Sequence, residues 1–156
     1  MSIFSSMDVS ASGLTAQRLR MDVISNNIAN VDTTRTPEGG PYRRQRVIFE
    51  ARGYEPVFSL PLKGRLLDAL SGVDARPGNG VRVSKIDKDS SAPKLAYNPG
   101  HPDANEQGYV LMPNISIVTE MVDMISASRS YEANVTAVSA AKELLASALR
   151  IGSGGR

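Results

Sequence analysis

The residues best suited to chemistry surround the chain's single histidine, His101. Asp103 and Glu106 follow it closely, so a metal site or an acid–base pair is the chemistry to consider. A zinc-type site needs three or four converging ligands, and the sequence contains neither a cysteine nor a second histidine. The prolines and glycine beside His101 indicate a tight turn instead. We therefore expect His101 to stabilise a turn and the carboxylates to be solvated, with no catalytic residue, metal or cofactor.

A second candidate is a run of arginines that begins at Arg43. Such a run could bind nucleic acid, but Glu50 lies within it and the formal net charge of the chain is only +2. The run forms either a solvated outer face or a patch that meets acidic residues of a neighbouring chain, and we favour the patch. The residues predicted for this outer-domain contact are Arg43, Arg44 and Arg46.

A third polar run, residues 25–34, contains Asn26, Asn27 and Asn30. Asparagine tolerates the left-handed conformation that ends a helix, and its amide can pair with exposed backbone groups. The run therefore indicates either a helix C-cap with a polar loop, or amides that satisfy backbone groups at a packed interface. Local chemistry favours the cap, but composition does not decide between the two.

These residues must be positioned by two long helices, the first of which is predicted from about Ser6 to Val31. Apolar residues recur there every seven positions, as in a helix that packs against others. The repeat consists of Met7, Leu14, Met21 and Ile28. Ser10 and Gln17 interrupt it, so the helix needs neighbours on more than one side. Gly13 costs about 1 kcal/mol relative to alanine and marks a hinge or a close helix approach.

The second helix is predicted from Asn114 to about Ile151, with the same seven-residue spacing. Asn114 or Ser116 would cap its start, Glu120 and Asp123 would complement the helix dipole, and Gly152 would end it. At roughly 1.5 Å per residue it forms a rod on the order of 50 Å long. Such a length in so short a chain indicates a coiled coil or an assembly.

The middle of the chain is rich in proline and glycine and loses the helical spacing. Gln45–Glu50 and Gly80–Ile86 are predicted strands, and Leu66–Leu70 a short helical turn. The expected fold class is α+β, with two long terminal α-helices that pair as a coiled-coil-like element and a small irregular β-rich domain between them. The predicted division is 1–34 and 114–151 for the assembly helices, 35–113 for the β-rich domain, and 152–156 for a flexible tail.

Both ends of the chain resemble the bacterial flagellar rod and hook protein family. The resemblance rests on SGLTAQRLRMDVISNNIAN at residues 12–30, EMVDMI at 120–125 and RSYEAN at 129–134. RTPEGGPYRR at 35–44 and YNPGHPDAN at 97–105 resemble the C-type proximal rod members in particular. Hook and distal-rod members place Thr-Pro-Gly-Tyr directly after the asparagine motif. Residues 32–35 intervene here, which favours the proximal rod.

The resemblance implies a structural subunit whose terminal helices pack, in many copies, into the hollow tube of a rod that crosses the periplasm. The implied partners are further copies, the B-type and F-type proximal rod proteins, the E-type hook–basal body protein, the MS ring and the flagellar type III export apparatus. Export without a cleaved signal peptide replaces the cytoplasmic location that composition alone suggests. No nucleic acid and no membrane insertion are expected.

The alternatives are another axial rod or hook-family structural protein, a nucleic-acid-binding module and, least favoured, an enzyme. Salt-dependent retention on DNA would favour the nucleic-acid module, and an ordered pocket of converging polar groups would favour the enzyme. For the rod subunit, the residues predicted to form subunit interfaces come from both helices. They are Leu14, Gln17, Met21, Ile24, Asn26, Asn27, Ile28, Asn30, Met121, Val122, Met124, Ile125, Arg129, Tyr131, Glu132, Asn134, Val138 and Leu145.

Overall fold

A computed structural model describes residues 3–52 and 78–153 of the chain. In chain order the elements are α1 (Ile3–Ala29), β1 (Gln45–Ala51), β2 (Val81–Lys88), β3 (Lys94–Tyr97), β4 (Tyr109–Met112) and α2 (Ile117–Ser153). Two long terminal helices thus flank a small β-rich region, which confirms the predicted α+β class. The helical turn predicted at Leu66–Leu70 lies outside the described residues, and the division into domains stays a prediction.

The two helices pack side by side in antiparallel orientation. Asn27 near the end of α1 bonds to Glu120 near the start of α2, while Gly13 lies against Asn134 farther along. Helix α1 has 27 residues and α2 has 37, which correspond to about 40 Å and 55 Å. The predicted stop at Gly152 is wrong, because α2 continues to Ser153. A glycine in the last turn weakens a helix without ending it.

The face of α1 that is buried most deeply mixes small, polar and branched apolar residues. Its buried residues are Ser12, Ala16, Val23, Ile24 and Asn27. The predicted seven-residue stripe that runs from Met7 to Ile28 is only half-buried, so it borders the packed face rather than forming it. A Cβ on Gly13 would come within 2.9 Å of the Asn134 side chain, so Gly13 marks a close helix approach and not a hinge.

The asparagine run at the end of α1 divides between its two predicted roles. The Asn30 side-chain amide donates to the Asn26 backbone carbonyl over 2.9 Å, and the Thr33 hydroxyl donates to Asn30 Oδ1 over 3.2 Å. These bonds satisfy groups at the helix end, as expected of a C-cap. Asn27 has the second predicted role, that of an amide at a packed contact, because its side chain is 1% exposed.

Strands β1 and β2 form an antiparallel pair that packs against α1. The register runs from Gln45 opposite Lys88 to Ala51 opposite Val81, with an irregularity between Ile48 and Phe49. The Val81 backbone N–H donates to Ser12 Oγ on α1 over 3.0 Å. Both predicted strands are confirmed, and β2 extends two residues farther than expected.

Strands β3 and β4 form a second antiparallel pair that the sequence did not reveal. Leu95 lies opposite Leu111, and Tyr97 lies opposite Tyr109. The turn before β4 is tight, because Gly108 has φ +79° and a Cβ there would approach the Tyr97 ring to 2.9 Å. At four residues each, the strands are too short to show a clear alternation.

Candidate assembly surfaces

A polar cluster joins both helices to the chain just before β1, and we call it the polar junction. It consists of Arg20, Asn27, Tyr42, Arg44, Glu120 and Asp123. At its centre is the Glu120 side chain, which is 1% exposed. Glu120 Oε1 accepts from Arg44 Nε over 2.5 Å, and Oε2 accepts from Asn27 Nδ2 over 2.9 Å. The sequence suggested only a helix-dipole role for Glu120, whereas the structure makes it the buried partner of Arg44 and Asn27.

The Asn27 amide uses both of its polar atoms at the junction. Its Nδ2 donates to the Gln45 carbonyl over 2.8 Å as well as to Glu120. Its Oδ1 accepts from the Gln45 backbone N–H over 2.9 Å and from the Tyr42 hydroxyl over 3.2 Å. One side chain on α1 therefore holds the first residue of β1 and the start of α2 together. Since a buried amide without partners is costly, this network favours one relative placement of the three segments.

Charge at the junction is balanced by two arginines and two carboxylates. Arg44 and Arg20 each donate to Asp123, over 3.2 Å and 3.3 Å.

Burial of the Tyr42 phenol, followed by the negative charge of Glu120, raises the pKa of Tyr42 above its usual value. The phenol therefore stays protonated and keeps donating to Asn27 at neutral pH.

A second surface, the outer apolar face of α2, covers the first turns of that helix. Its residues, with their exposed fractions, are Ile117 46%, Val118 73%, Met121 54%, Val122 62% and Ile125 60%. The charged residues of these turns point elsewhere, since Glu120 is buried and Asp123 is paired with arginines. A contiguous uncharged patch of this kind is typical of a protein–protein contact.

The residues predicted as subunit contacts fall into three groups. Those exposed are Asn26, Met121, Val122, Ile125, Arg129 and Glu132. Those half-buried are Leu14, Gln17, Met21, Ile28, Asn30, Met124, Tyr131, Asn134, Val138 and Leu145. Ile24 and Asn27 are buried inside the single chain, at 5% and 1% exposed, and the contact role of all three groups stays a prediction.

The three arginines predicted for an outer contact also differ in their surroundings. Arg44 bonds to Glu120 and Asp123 on α2 of its own chain. Arg43 and Arg46 are exposed, and their outer contact stays a prediction. Arg129 and Glu132 form an exposed ion pair about one helical turn apart, at 3.2 Å.

His101 has the turn-stabilising role that the sequence predicted. Its Nδ1 accepts from the Asp103 backbone N–H over 3.1 Å. Asp103 in turn accepts from the Thr34 hydroxyl over 2.8 Å and pairs with Arg35 at 3.3 Å. The carboxylate thus ties this loop to the chain after α1, rather than remaining a solvated loop carboxylate.

Within residues 3–52 and 78–153, no group of three or more histidine, acidic or cysteine side chains is arranged to hold a metal ion. An open cleft of about 330 Å³ lies beside the polar junction. Its two carboxylates, Glu120 and Asp123, are already bonded to arginines. None of the helices described has a stretch long and apolar enough to span a membrane.

Both ends of the chain match known family models. Residues 7–35 match the flagella basal body rod protein family. Residues 106–151 match the C-terminal region of the flagellar basal body rod FlgEFG proteins. The first match covers most of α1 and its asparagine run, and the second covers β4 and nearly all of α2.

Relatives that match over nearly the full length identify the family more narrowly than the two partial matches. The flagellar basal-body rod protein FlgC of Borreliella burgdorferi is 55% identical, over 97% of this chain and 98% of that protein. FlgC of Bacillus subtilis is 51% identical, over 97% of this chain and 99% of that protein. FlgC of Salmonella typhimurium is 36% identical over the same shares. The chain therefore belongs to the FlgC family of flagellar basal-body rod proteins.

Proposed function

We propose that the chain is a structural subunit of the proximal rod, and that it polymerises through its terminal helices into the hollow axial shaft of the flagellar basal body. The observation that carries this proposal is the outer apolar face of α2. Family membership gives the kind of assembly, and this face gives a surface on which the assembly can form.

The energetic argument begins with how little the isolated chain buries. Among the described residues, seven hydrophobic side chains are buried and seventeen large ones are exposed. Covering a large apolar side chain stabilises an assembly by about 1.5–3 kcal/mol when it starts fully exposed. The residues of the outer face are roughly half to three-quarters exposed, so each contributes about 1–2 kcal/mol on burial. Several such contacts per subunit, repeated along a polymer, are sufficient to favour assembly.

The polar junction has a different part in this proposal. It fixes the β1–β2 pair to the helix pair through bonds inside one chain, so every copy presents the same outer shape. The proposed neighbours are further copies, B-type and F-type proximal rod proteins, the E-type hook–basal body protein and the MS ring. Delivery to the periplasm through the flagellar type III apparatus is proposed from the family alone.

A role in binding nucleic acid is less well supported. Basic side chains of the β1–β2 pair are engaged by acids of the same chain. Arg82 pairs with Glu50 at 3.1 Å, and Lys88 pairs with Glu38 at 2.7 Å. These pairs reduce the positive field that a phosphate backbone would require.

The test replaces an outer-face residue by a charged one. Met121→Asp or Ile125→Asp should prevent rod assembly, because a carboxylate would have to be desolvated at the contact. Both side chains are more than half exposed, so the single chain should keep its fold, which circular dichroism would check. Met121→Leu is the matched control and should assemble. Basal bodies that contain a normal amount of the Met121→Asp and Ile125→Asp chains would contradict the proposal.

A further inference from the structure

The β3–β4 pair carries an exposed apolar surface that is separate from the helices. We call it the hairpin face, and its residues are Leu95, Tyr97, Tyr109 and Leu111. Their exposed fractions are 67%, 68%, 41% and 47%. Cross-strand partners lie on the same side of a sheet, and Leu95 pairs with Leu111 as Tyr97 does with Tyr109. All four side chains therefore point to one side.

The hairpin face is held in a fixed shape. On the opposite side of the sheet Val110 is 1% exposed, so residues of the same chain cover that side. The Tyr97 and Tyr109 rings lie edge to face, with centroids 5.3 Å apart. Pro99 and the Tyr97 ring pack closely over Gly108. A partner therefore binds a preorganised surface and loses little conformational entropy.

We propose that the hairpin face of one copy docks on the outer apolar face of α2 of the next copy. The proposal rests on the function proposed above and names the occupant of its contact surface. Within one chain both surfaces are exposed, so neither covers the other. Each surface can therefore be buried only through a contact with another molecule.

Charge supports this pairing. The hairpin face is uncharged, so its partner must also be uncharged, because a buried unpaired charge is costly. The outer apolar face of α2 meets that condition. Leu144, Leu149 and Ile151 near the end of α2 are also exposed and apolar, but Lys142, Glu143 and Arg150 lie among them. That end of the helix is the poorer match.

The areas of the two surfaces also agree. The exposed fractions correspond to about 400 Å² on the hairpin face and about 500 Å² on the helix face. Together they would bury about 900 Å², which is below the range of about 1,200–2,000 Å² for stable interfaces. Such a contact is too weak for a dimer in dilute solution, and it suits an assembly in which each subunit has several neighbours.

Symmetry distinguishes this arrangement from a pairing of like surfaces. Two hairpin faces packed on each other would form a closed two-fold dimer, and growth would stop. A hairpin face packed on a helix face joins two different surfaces head to tail. Every added copy then offers the next free surface, as an open helical assembly requires.

The test uses the absence of cysteine from the chain. One copy carries Leu111→Cys, a second carries Val122→Cys, and the two have different epitope tags. They are produced together in flagellated cells, and isolated basal bodies are treated with an oxidant or with a flexible bismaleimide, which tolerates imperfect disulfide geometry. The expected product has both tags and twice the chain mass of 16.7 kDa. Leu111→Cys with Leu149→Cys is the matched control and should give none.

Three outcomes would overturn the inference. A product from Leu111→Cys alone would show that like faces meet. A product of another mass would show that a different protein covers the hairpin face. No product from this pair or from Tyr97→Cys with Met121→Cys, in basal bodies that contain the chains, would show that the two faces do not meet. Absence of even the unsubstituted chain from isolated rods would refute the proposed function itself.

Discussion

Replacement of Glu120 by alanine tests whether the polar junction holds the chain together. The substitution removes the carboxylate that accepts from Arg44 and Asn27. It leaves a guanidinium and an amide facing a cavity, while the backbone keeps its helical propensity because alanine is a good helix former. The effect therefore does not come from a loss of helical propensity.

The expected loss follows from burial. Removing one partner of a buried ion pair typically costs 3–5 kcal/mol, mostly because the other charge stays buried. The Arg44 side chain is 22% exposed and keeps Asp123 as a second partner, so water and Asp123 reduce that figure. The lost acceptor of Asn27 adds about 1 kcal/mol. Together these give a destabilisation of about 2–4 kcal/mol.

Urea unfolding followed by circular dichroism would measure the loss. Glu132→Ala is the matched control on the same helix, because its pair with Arg129 is exposed and should contribute less than about 0.5 kcal/mol. Removing both charges, as in Glu120→Leu with Arg44→Met, should restore much of the stability. A Glu120→Ala chain within about 0.5 kcal/mol of the control would refute the reasoning.

Two further predictions concern the junction and the helix contact. The raised pKa of Tyr42 means that its stabilising contribution is present below pH 10.0 and is lost as pH rises through the folded-state pKa. Absorbance titration should show a phenol ionisation above 10.0 that Tyr42→Phe abolishes. Gly13→Ala should change stability little, because a helical gain of about 1 kcal/mol is offset by the contact with Asn134. In an Asn134→Ala background the same substitution should stabilise the chain by about 1 kcal/mol, and an equal effect in both backgrounds on urea unfolding would contradict the contact.

The sequence predicted the helices well because their signal is long and local. Both were expected within a few residues of where they begin and end, and β1 and β2 were predicted as short strands in a region rich in turn residues. Strands β3 and β4 were missed, although a turn around His101, which lies between them, was predicted. Four residues of strand give too little alternation to separate from an irregular loop.

The helix faces were harder to predict than the helices. A seven-residue apolar stripe marks the side of a helix that avoids water, but it does not say whether the cover is the same chain or another. Here Gly13, Ala16 and Ala127 let the two helices approach closely, and larger side chains such as Met121 remain outside. Small residues give a weak hydrophobic signal, so the tightest contact was the least visible.

The polar junction could not be found from one sequence. Asn27 and Glu120 are 93 residues apart, and each has an ordinary local explanation as a cap or a helix-dipole partner. Arg44 stood in a basic run that pointed to an outer surface. Only the antiparallel pairing of the helices brings the three together, and no local pattern sets that register.

The pairing of the first helix with the last also decides when the chain can fold. A chain that emerges N-terminus first presents α1, Asn27 and Arg44 long before Glu120 follows. Until then the buried face of α1 lacks its main packing partner, and most of the stability of a helix in a protein comes from such packing. Folding is therefore completed late and requires almost the entire chain. A truncated product that ends before α2 should remain incompletely folded and be easily digested by proteases.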